Sequence, residues 1–310
     1  MRNAFVDTVY SLTKNDKKIY LMTGDLGFGV LTKYREDFPD NFINAGIAEQ
    51  NMTAVAAGMA LEGNCVFTYS IANFPTLRPL EQIRNCVAYH NANVKIVSIG
   101  AGMAYGGAGM THHGTEDIAM LRSIPNMVVF SPADKAEAIA VTNAAYKWHG
   151  PCYIRLGKGR EADIHTVPIK NYEIGKSLQI AQGDDVAIFT TGAIASEVVK
   201  TAKQLKDSNI SVAIYTFPTI KPIDQKIIEE CAKKYSHIFT VEEHDIIGGL
   251  GSAVSEILAE MDSKRAMLKR IGLNDTFTSI VGDQEYLRDC YGLSATKMTS
   301  TIIDALKGQK

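Results

Sequence analysis

The chain has 310 residues, and 32 basic side chains against 34 acidic ones leave a net charge of −2 with histidine neutral. That balance lacks the basic footprint of a nucleic-acid binder. With 46% hydrophobic and 21% charged residues the composition is that of a globular protein long enough for two domains, not of a disordered or collagenous chain.

No stretch reaches the ~20 predominantly apolar residues of a membrane helix, and the start, Met1 to Asp7, carries an acid and no apolar core before a cleavage site. A soluble, cytoplasmic protein is expected. The cysteines at 65, 86, 152, 231 and 290 are odd in number, far apart and without a C-x-x-C pair. This excludes a disulfide framework and a structural zinc site and leaves them as packing residues.

In chain order, short apolar runs at 19–23, 65–69, 94–99, 127–131 and 152–156 read as strands separated by helical patterns. They are apolar on both faces, as in a parallel sheet covered by helices on each side. The segment 166–185 reads as a linker carrying a strand or two. A second α/β rhythm follows, with strands at 186–191, 211–217 and 238–241 and helices at 193–206, 224–234, 251–261 and 294–307. The expected fold is therefore α/β in two domains, 1–165 and 186–310, each a mostly parallel sheet covered by helices.

Three constellations carry chemistry. In the run from Asn44 to Glu62, Glu49 is the only charged residue between Asp40 and Glu62, in a helix predicted to be buried on nearly all faces. A lone buried carboxyl is costly unless it is hydrogen-bonded or protonated; an acid in a first helical turn also complements the helix dipole, and the segment alone leaves both readings open.

The second runs from Ile96 through a glycine-rich loop to His112 and His113. Gly100, Gly102 and Gly106 give G-x-G-x-x-x-G, one residue too long for a dinucleotide fingerprint. Adjacent histidines diverge and make a poor metal pair. The spacing favours a loop that lets a substrate approach the backbone, with a histidine as proton donor or hydrogen-bond partner. The third pairs Asp25 of Thr23-Gly-Asp25-Leu-Gly27 with Phe74 and Arg78, in loops after the first two strands, where open parallel sheets bind ligands. Asp25 as a turn residue and Phe74 as core are equally open from position alone.

Together with Gly46-Ile-Ala-Glu49-Gln-Asn-Met52, Thr111-His112, Glu116-Asp-Ile-Ala, Leu121-Arg-Ser-Ile-Pro-Asn126, Ser131-Pro-Ala-Asp134, Gly150-Pro151, Val241-Glu-Glu-His and Gly248-Gly-Leu-Gly251, these segments resemble the pyrimidine-binding and C-terminal domains of the transketolase family over almost the whole chain. The resemblance implies thiamine diphosphate as cofactor. It lacks the family's Gly-Asp-Gly motif for diphosphate and Mg2+, so the chain looks like the C-terminal subunit of a split transketolase, inactive without an N-terminal partner subunit that carries that motif and the Mg2+ ligands. A heterotetramer, α2β2, is the implied assembly.

Residue by residue, the resemblance gives Glu49 the bond to the aminopyrimidine nitrogen that favours its imino form, puts Asp25 and Leu26 beside the cofactor and stacks Phe74 on the pyrimidine. It makes His112 catalytic and substrate-contacting, and Arg2, Arg78 and Arg155 binders of a substrate phosphate. The implied reaction moves a two-carbon ketol unit from a ketose to an aldose. Departures lie at Ala108, Gly100-Ala101, Gly29, Ile71 and Leu77, where the family is usually polar or aromatic. They suggest an unusual sugar, unphosphorylated or nucleotide-linked. The Gly248–Gly251 turn reads as a packing device. Two alternatives share the layout: the β subunit of a 2-oxoacid dehydrogenase, and a catalytically silent binding module.

Overall fold

A computed structural model describes residues 1–159, 161–263 and 265–307. Six strands of the first half are β1 (Ile19–Thr23), β2 (Phe42–Asn44), β3 (Cys65–Ile71), β4 (Val94–Ile99), β5 (Val128–Phe130) and β6 (Cys152–Leu156). The second half holds β7 (Leu178–Ala181), β8 (Val186–Thr190), β9 (Val212–Thr216), β10 (Thr219–Lys221), β11 (His237–Asp245) and β12 (Met267–Leu273). They build two sheets, ordered β10-β5-β6-β4-β3-β1-β2 and β12-β11-β8-β9-β7. All pairings are parallel except β10 with β5 and β7 with β9.

The central strands of both sheets are buried on both faces, as their apolar runs require, while the edge strands β2, β7 and β12 are partly exposed. All six residues of β4 are buried, Lys95 included, whose ammonium donates to the carbonyls of Trp148 (2.6 Å) and Gly150 (2.7 Å). One face of the first sheet packs under the helices Arg2–Asn15 and Lys135–Lys147, the other under Glu49–Leu61. This last helix corrects an expectation: its inner face is buried, but Val55 and Leu61 are exposed on the other.

The division into 1–165 and 186–310 is also not that of the sheets. Thr219–Lys221 leaves the second half and closes the edge of the first sheet against Phe130 and Val129, and β7 lies within the stretch read as linker. Among the described residues no helix is long and apolar enough to cross a membrane, and all five cysteines are free.

Buried charges tie the halves together. Asp117 (1% exposed) accepts from Arg155 Nε at 2.8 Å and from the Tyr153 hydroxyl, while Arg155 Nη2 donates to the carbonyls of Gly114 (2.6 Å) and Glu243 (3.0 Å). Glu242 accepts the N–H groups of Leu250 (2.7 Å) and Gly251 (2.8 Å), so its own carboxylate fills the N-terminus of helix Leu250–Glu260 at the Gly248–Gly251 turn.

A second cluster pins the segment after β6. Asp134 caps helix Lys135–Lys147 at Glu137 N–H (3.0 Å), accepts from the N–H groups of Ile164 and His165 (2.9 Å each) and faces His165 Nδ1 at 3.1 Å. Burial alone would raise it, but the bonds from His165 and the backbone outweigh burial and hold it at about 2. Burial pushes Glu137 up to about 7, against bonds from Thr216 (2.6 Å) and the Ala133 N–H (2.7 Å).

Between its ordinary 4.5 and about 7 the folded chain therefore keeps a proton on Glu137 that the unfolded chain has lost, so stability falls as pH rises through that window. Glu137→Gln has no proton to lose. It is expected to gain on the wild type in urea midpoint as the pH is raised from about 5 to about 8; a constant difference between the two would count against this.

Candidate active site

The site gathers at the C-terminal ends of β1, β3 and β4, where the backbone leaves the parallel sheet. After β1, Asp25 takes a left-handed φ of 57° in a tight turn. Asn44, at the end of β2, holds that turn by accepting the N–H groups of Asp25 and Gly46 and donating to Asp25 Oδ1, each at 3.0 Å. Leu26 is half-buried against the core, its carbonyl accepting from the Thr23 hydroxyl at 3.1 Å. Asp25 is thus a turn residue, exposed beside the end of β1.

Glu49 opens helix Glu49–Leu61 and is 3% exposed, beside Gly24, where an added Cβ would stand 3.5 Å from Glu49 Oε1. It is not alone. Arg78 Nη1 donates to Glu49 Oε2 at 3.1 Å, and the same guanidinium lies over the Phe74 ring, 4.0 Å from its centroid. Phe74 meets the His112 ring edge-on at 5.1 Å, and His112 meets Tyr105 at 6.3 Å. Glu49, Arg78, Phe74, His112 and Tyr105 therefore form one continuous row. Its Glu49 end opens to solvent: the Arg78 side chain is 47% exposed and Ile47, two residues before Glu49, 78% exposed, while Phe28, two residues after Leu26, is 79% exposed.

The two histidines part company. His112 is half-buried in the row, with Thr111 Oγ1 at 3.0 Å from its Nδ1. His113 is buried and bonded to Thr278 of the second half, and burial lowers its pKa. The glycine loop is explained by its own side chains as well as by any substrate. A Cβ at Gly100 (φ +93°) would fall 2.1 Å from the Tyr105 ring, and one at Gly102 (φ +60°) 2.5 Å from Glu243 Oε1. Glu243 also accepts from Met103 N–H at 2.6 Å and from Arg288 Nε at 2.6 Å, anchoring the loop to helix Gln284–Cys290.

Of the three arginines, Arg78 is in the row and Arg2 lines a crevice of about 770 Å³ with Lys158 and Ala104. Arg155 is a correction. It is 2% exposed, its Nε and Nη2 donate to Asp117, Gly114 and Glu243, and its Nη1 lies beside Gly192, so it joins the halves from within and not from a substrate crevice. Lys158, just beyond the same strand, lines the crevice together with Arg2, Lys200 and Arg288, its Nζ 4.6 Å above the Tyr105 ring. Sequence reasoning missed Lys158 and Tyr105; the one signal for Tyr105 was its isolation among glycines and alanines. Among the described residues no cluster of His, Cys, Asp and Glu is arranged to hold a metal ion.

The seat between Glu49 and Phe74 fits an aminopyrimidine. Arg78 already occupies it as a flat, N–H-bearing group stacked on an aromatic face and hydrogen-bonded to a buried carboxylate, which are the two contacts such a ring needs.

Comparison with known proteins agrees. Residues 1–161 match the transketolase pyrimidine-binding domain and residues 175–298 the transketolase C-terminal domain. A Methanocaldococcus jannaschii protein provisionally assigned as a transketolase C-terminal section is 38% identical, covering 99% of this chain and 96% of its own. One of the subunits of the apulose-4-phosphate transketolase of Actinobacillus succinogenes is 32% identical over 98% and 97%. A solved split-gene transketolase, described as an inactive β4 tetramer, superposes with a TM-score of 0.90 at 34% identity, covering 100% of this chain and 99% of its own. These matches support a transketolase C-terminal subunit over a 2-oxoacid dehydrogenase β subunit and over a silent module. The chain belongs to the transketolase family, as the C-terminal subunit of a split, thiamine diphosphate-dependent transketolase.

Proposed function

We propose that this chain supplies the pyrimidine half of a thiamine diphosphate site shared with an N-terminal subunit, which holds the diphosphate and Mg2+, and that the pair transfers a two-carbon ketol unit from a ketose to an aldose. The observation that carries this reading is the buried Glu49 carboxylate facing a flat group stacked on Phe74. When bound, the cofactor supplies the carbon nucleophile that breaks and remakes the carbon–carbon bond. Glu49 holds a proton at a ring nitrogen, Phe74 stacks on the ring, and Asp25 and Leu26 close its side. His112, one ring step from Phe74, hydrogen-bonds oxygen at the reacting carbon.

Seating the pyrimidine displaces Arg78 toward the substrate, where it joins Arg2 and Lys158 as a cation for a phosphate. The naming of a relative for apulose 4-phosphate supports a phosphorylated sugar over the neutral one suggested by the sequence departures. Arg78→Ala is accordingly expected to bind thiamine diphosphate several-fold more tightly in a calorimetric titration of the complex, while the KM for a phosphorylated substrate rises about tenfold. Unchanged or weaker cofactor binding would remove Arg78 from this role.

The exposed Phe28 and Ile47, and Val55 and Leu61 farther along helix Glu49–Leu61, support docking of partner chains, in an α2β2 assembly. A cytoplasmic location belongs to the same reading. The purified chain, the N-terminal subunit, thiamine diphosphate, Mg2+, a ketose and an aldose are expected to give ketol transfer only when both subunits are present. Turnover by this chain alone, or none by the pair, refutes the reading.

A further inference from the structure

The loop that carries His112 leaves the first sheet but is gripped by the second half of the chain. Its neck closes on itself, Gly102 and Gly114 exchanging N–H to carbonyl bonds at 2.9 Å each, so residues 102–114 form one compact loop. Met103, fully buried, lies in the apolar core of the second half with Ile194, Val241 and Leu287, and its N–H donates to Glu243 Oε1 at 2.6 Å. His113 bonds Thr278, and Gly106 packs on Gly282, where an added Cβ would stand 2.2 Å from the carbonyl oxygen. Glu243, 4% exposed near the end of β11, also accepts from Gln284 Nε2 at 2.8 Å and from Arg288 Nε at 2.6 Å, with Arg288 Nη2 at 2.6 Å as well. A carboxylate accepts from every one of these donors, whereas a glutamine would turn N–H groups of its own against some of them.

We propose that Glu243 is a positioning residue of ketol transfer, fixing Met103 and, through the loop, the stance of the His112 ring against Phe74. The inference rests on the ketol-transfer reading above, in which His112 serves the reacting carbon. A relay of backbone bonds joins the anchor to the ring. Gly106 N–H donates to the Met103 carbonyl (2.9 Å), Gly109 N–H to that of Gly106 (3.1 Å) and His112 N–H to that of Gly109 (3.0 Å), each step three residues on. Glycines at 102, 106, 107 and 109 give this stretch little side-chain packing of its own, so the hold on Met103 sets where the relay begins. Glu243 touches neither Glu49 nor Phe74, which stand on other loops. Its effect therefore falls on the reacting end and spares the cofactor seat.

The test uses the reconstituted two-subunit holoenzyme with a ketose donor and an aldose acceptor. Glu243→Gln is expected to lower kcat about tenfold to a hundredfold, the range for displacing a reacting group by about 1 Å, with affinity for thiamine diphosphate within about twofold of wild type. In a His112→Ala background the same change is expected to cost less than about twofold, because the ring it positions is gone. Hydrogen exchange at residues 103–112 of the same complex is expected to quicken about tenfold in Glu243→Gln, with β4 unchanged. Glu243→Gln leaves the Arg288 charge unmatched; Glu243→Gln with Arg288→Met removes both charges, and it carries the same expectations if the single variant does not fold. An unchanged kcat, equal losses with and without His112, cofactor affinity falling in step with kcat, or unchanged exchange in the loop overturns the proposal. If the wild-type pair gives no turnover, the ketol-transfer reading fails, and exchange decides the role of Glu243 by itself: a faster loop beside an unchanged β4 supports it as the anchor, and an unchanged loop overturns it.

Discussion

With Glu49 replaced by alanine, the reconstituted pair is expected to lose two to four orders of magnitude in kcat, about the range for removing a group that holds a transferred proton. The variant is expected to stay folded. Among the described residues Glu49 has one ionic partner, Arg78, whose side chain is 47% exposed and moves into water at little cost once the carboxylate is gone. Glu49→Gln keeps the shape and one hydrogen bond but not the exchangeable proton. Its kcat is expected to fall as far as that of the alanine variant, with cofactor affinity closer to wild type. Single-turnover measurements beside thermal melts separate lost chemistry from lost fold. Full turnover from Glu49→Ala overturns the assignment of this carboxyl.

The largest effect on stability is expected at Asp117. Removing it strands Arg155, which is 2% exposed, with an uncompensated charge and leaves the Tyr153 hydroxyl without its acceptor. Asp117→Ala is expected to cost about 3–5 kcal/mol in urea titrations, the range for breaking a buried pair from one side. The double variant Asp117→Leu with Arg155→Met removes both charges together and is expected to recover much of that loss. A single variant no less stable than the double one would show that the pair is not the link it looks to be. Because Arg155 also bonds the Glu243 carbonyl, the loss is expected to weaken the contact between the halves as well as the first sheet.

Much of this was legible beforehand where one local pattern suffices. Strands β1, β4 and β6 stand out because a short, predominantly apolar run has one stable use, inside a covered parallel sheet. Glu49 stands out as one charge in an apolar helix. What escaped depends on distant pairing. Arg155 reads as a free arginine until Asp117, 38 positions away, is folded against it. Arg78 reads as a substrate ligand alone, and its additional reach to Glu49, 29 positions away, is seen only in the fold. Strand β10 has three residues and no periodicity to register, and its partner lies across the boundary drawn between domains. The glycine loop was read for what a ligand would need, while Tyr105 and Glu243 already require two of its glycines.

The loan of Thr219–Lys221 to the first sheet bears on any attempt to dissect the chain. A fragment ending near residue 165 would keep Glu49, Phe74 and His112, yet bare the outer side of Val128–Phe130, with its backbone N–H and C=O groups unpaired and its neighbours apolar. Such a rim templates sticking between copies. Excised halves would precipitate before they could be assayed, and only the uncut polypeptide offers the partner a finished surface.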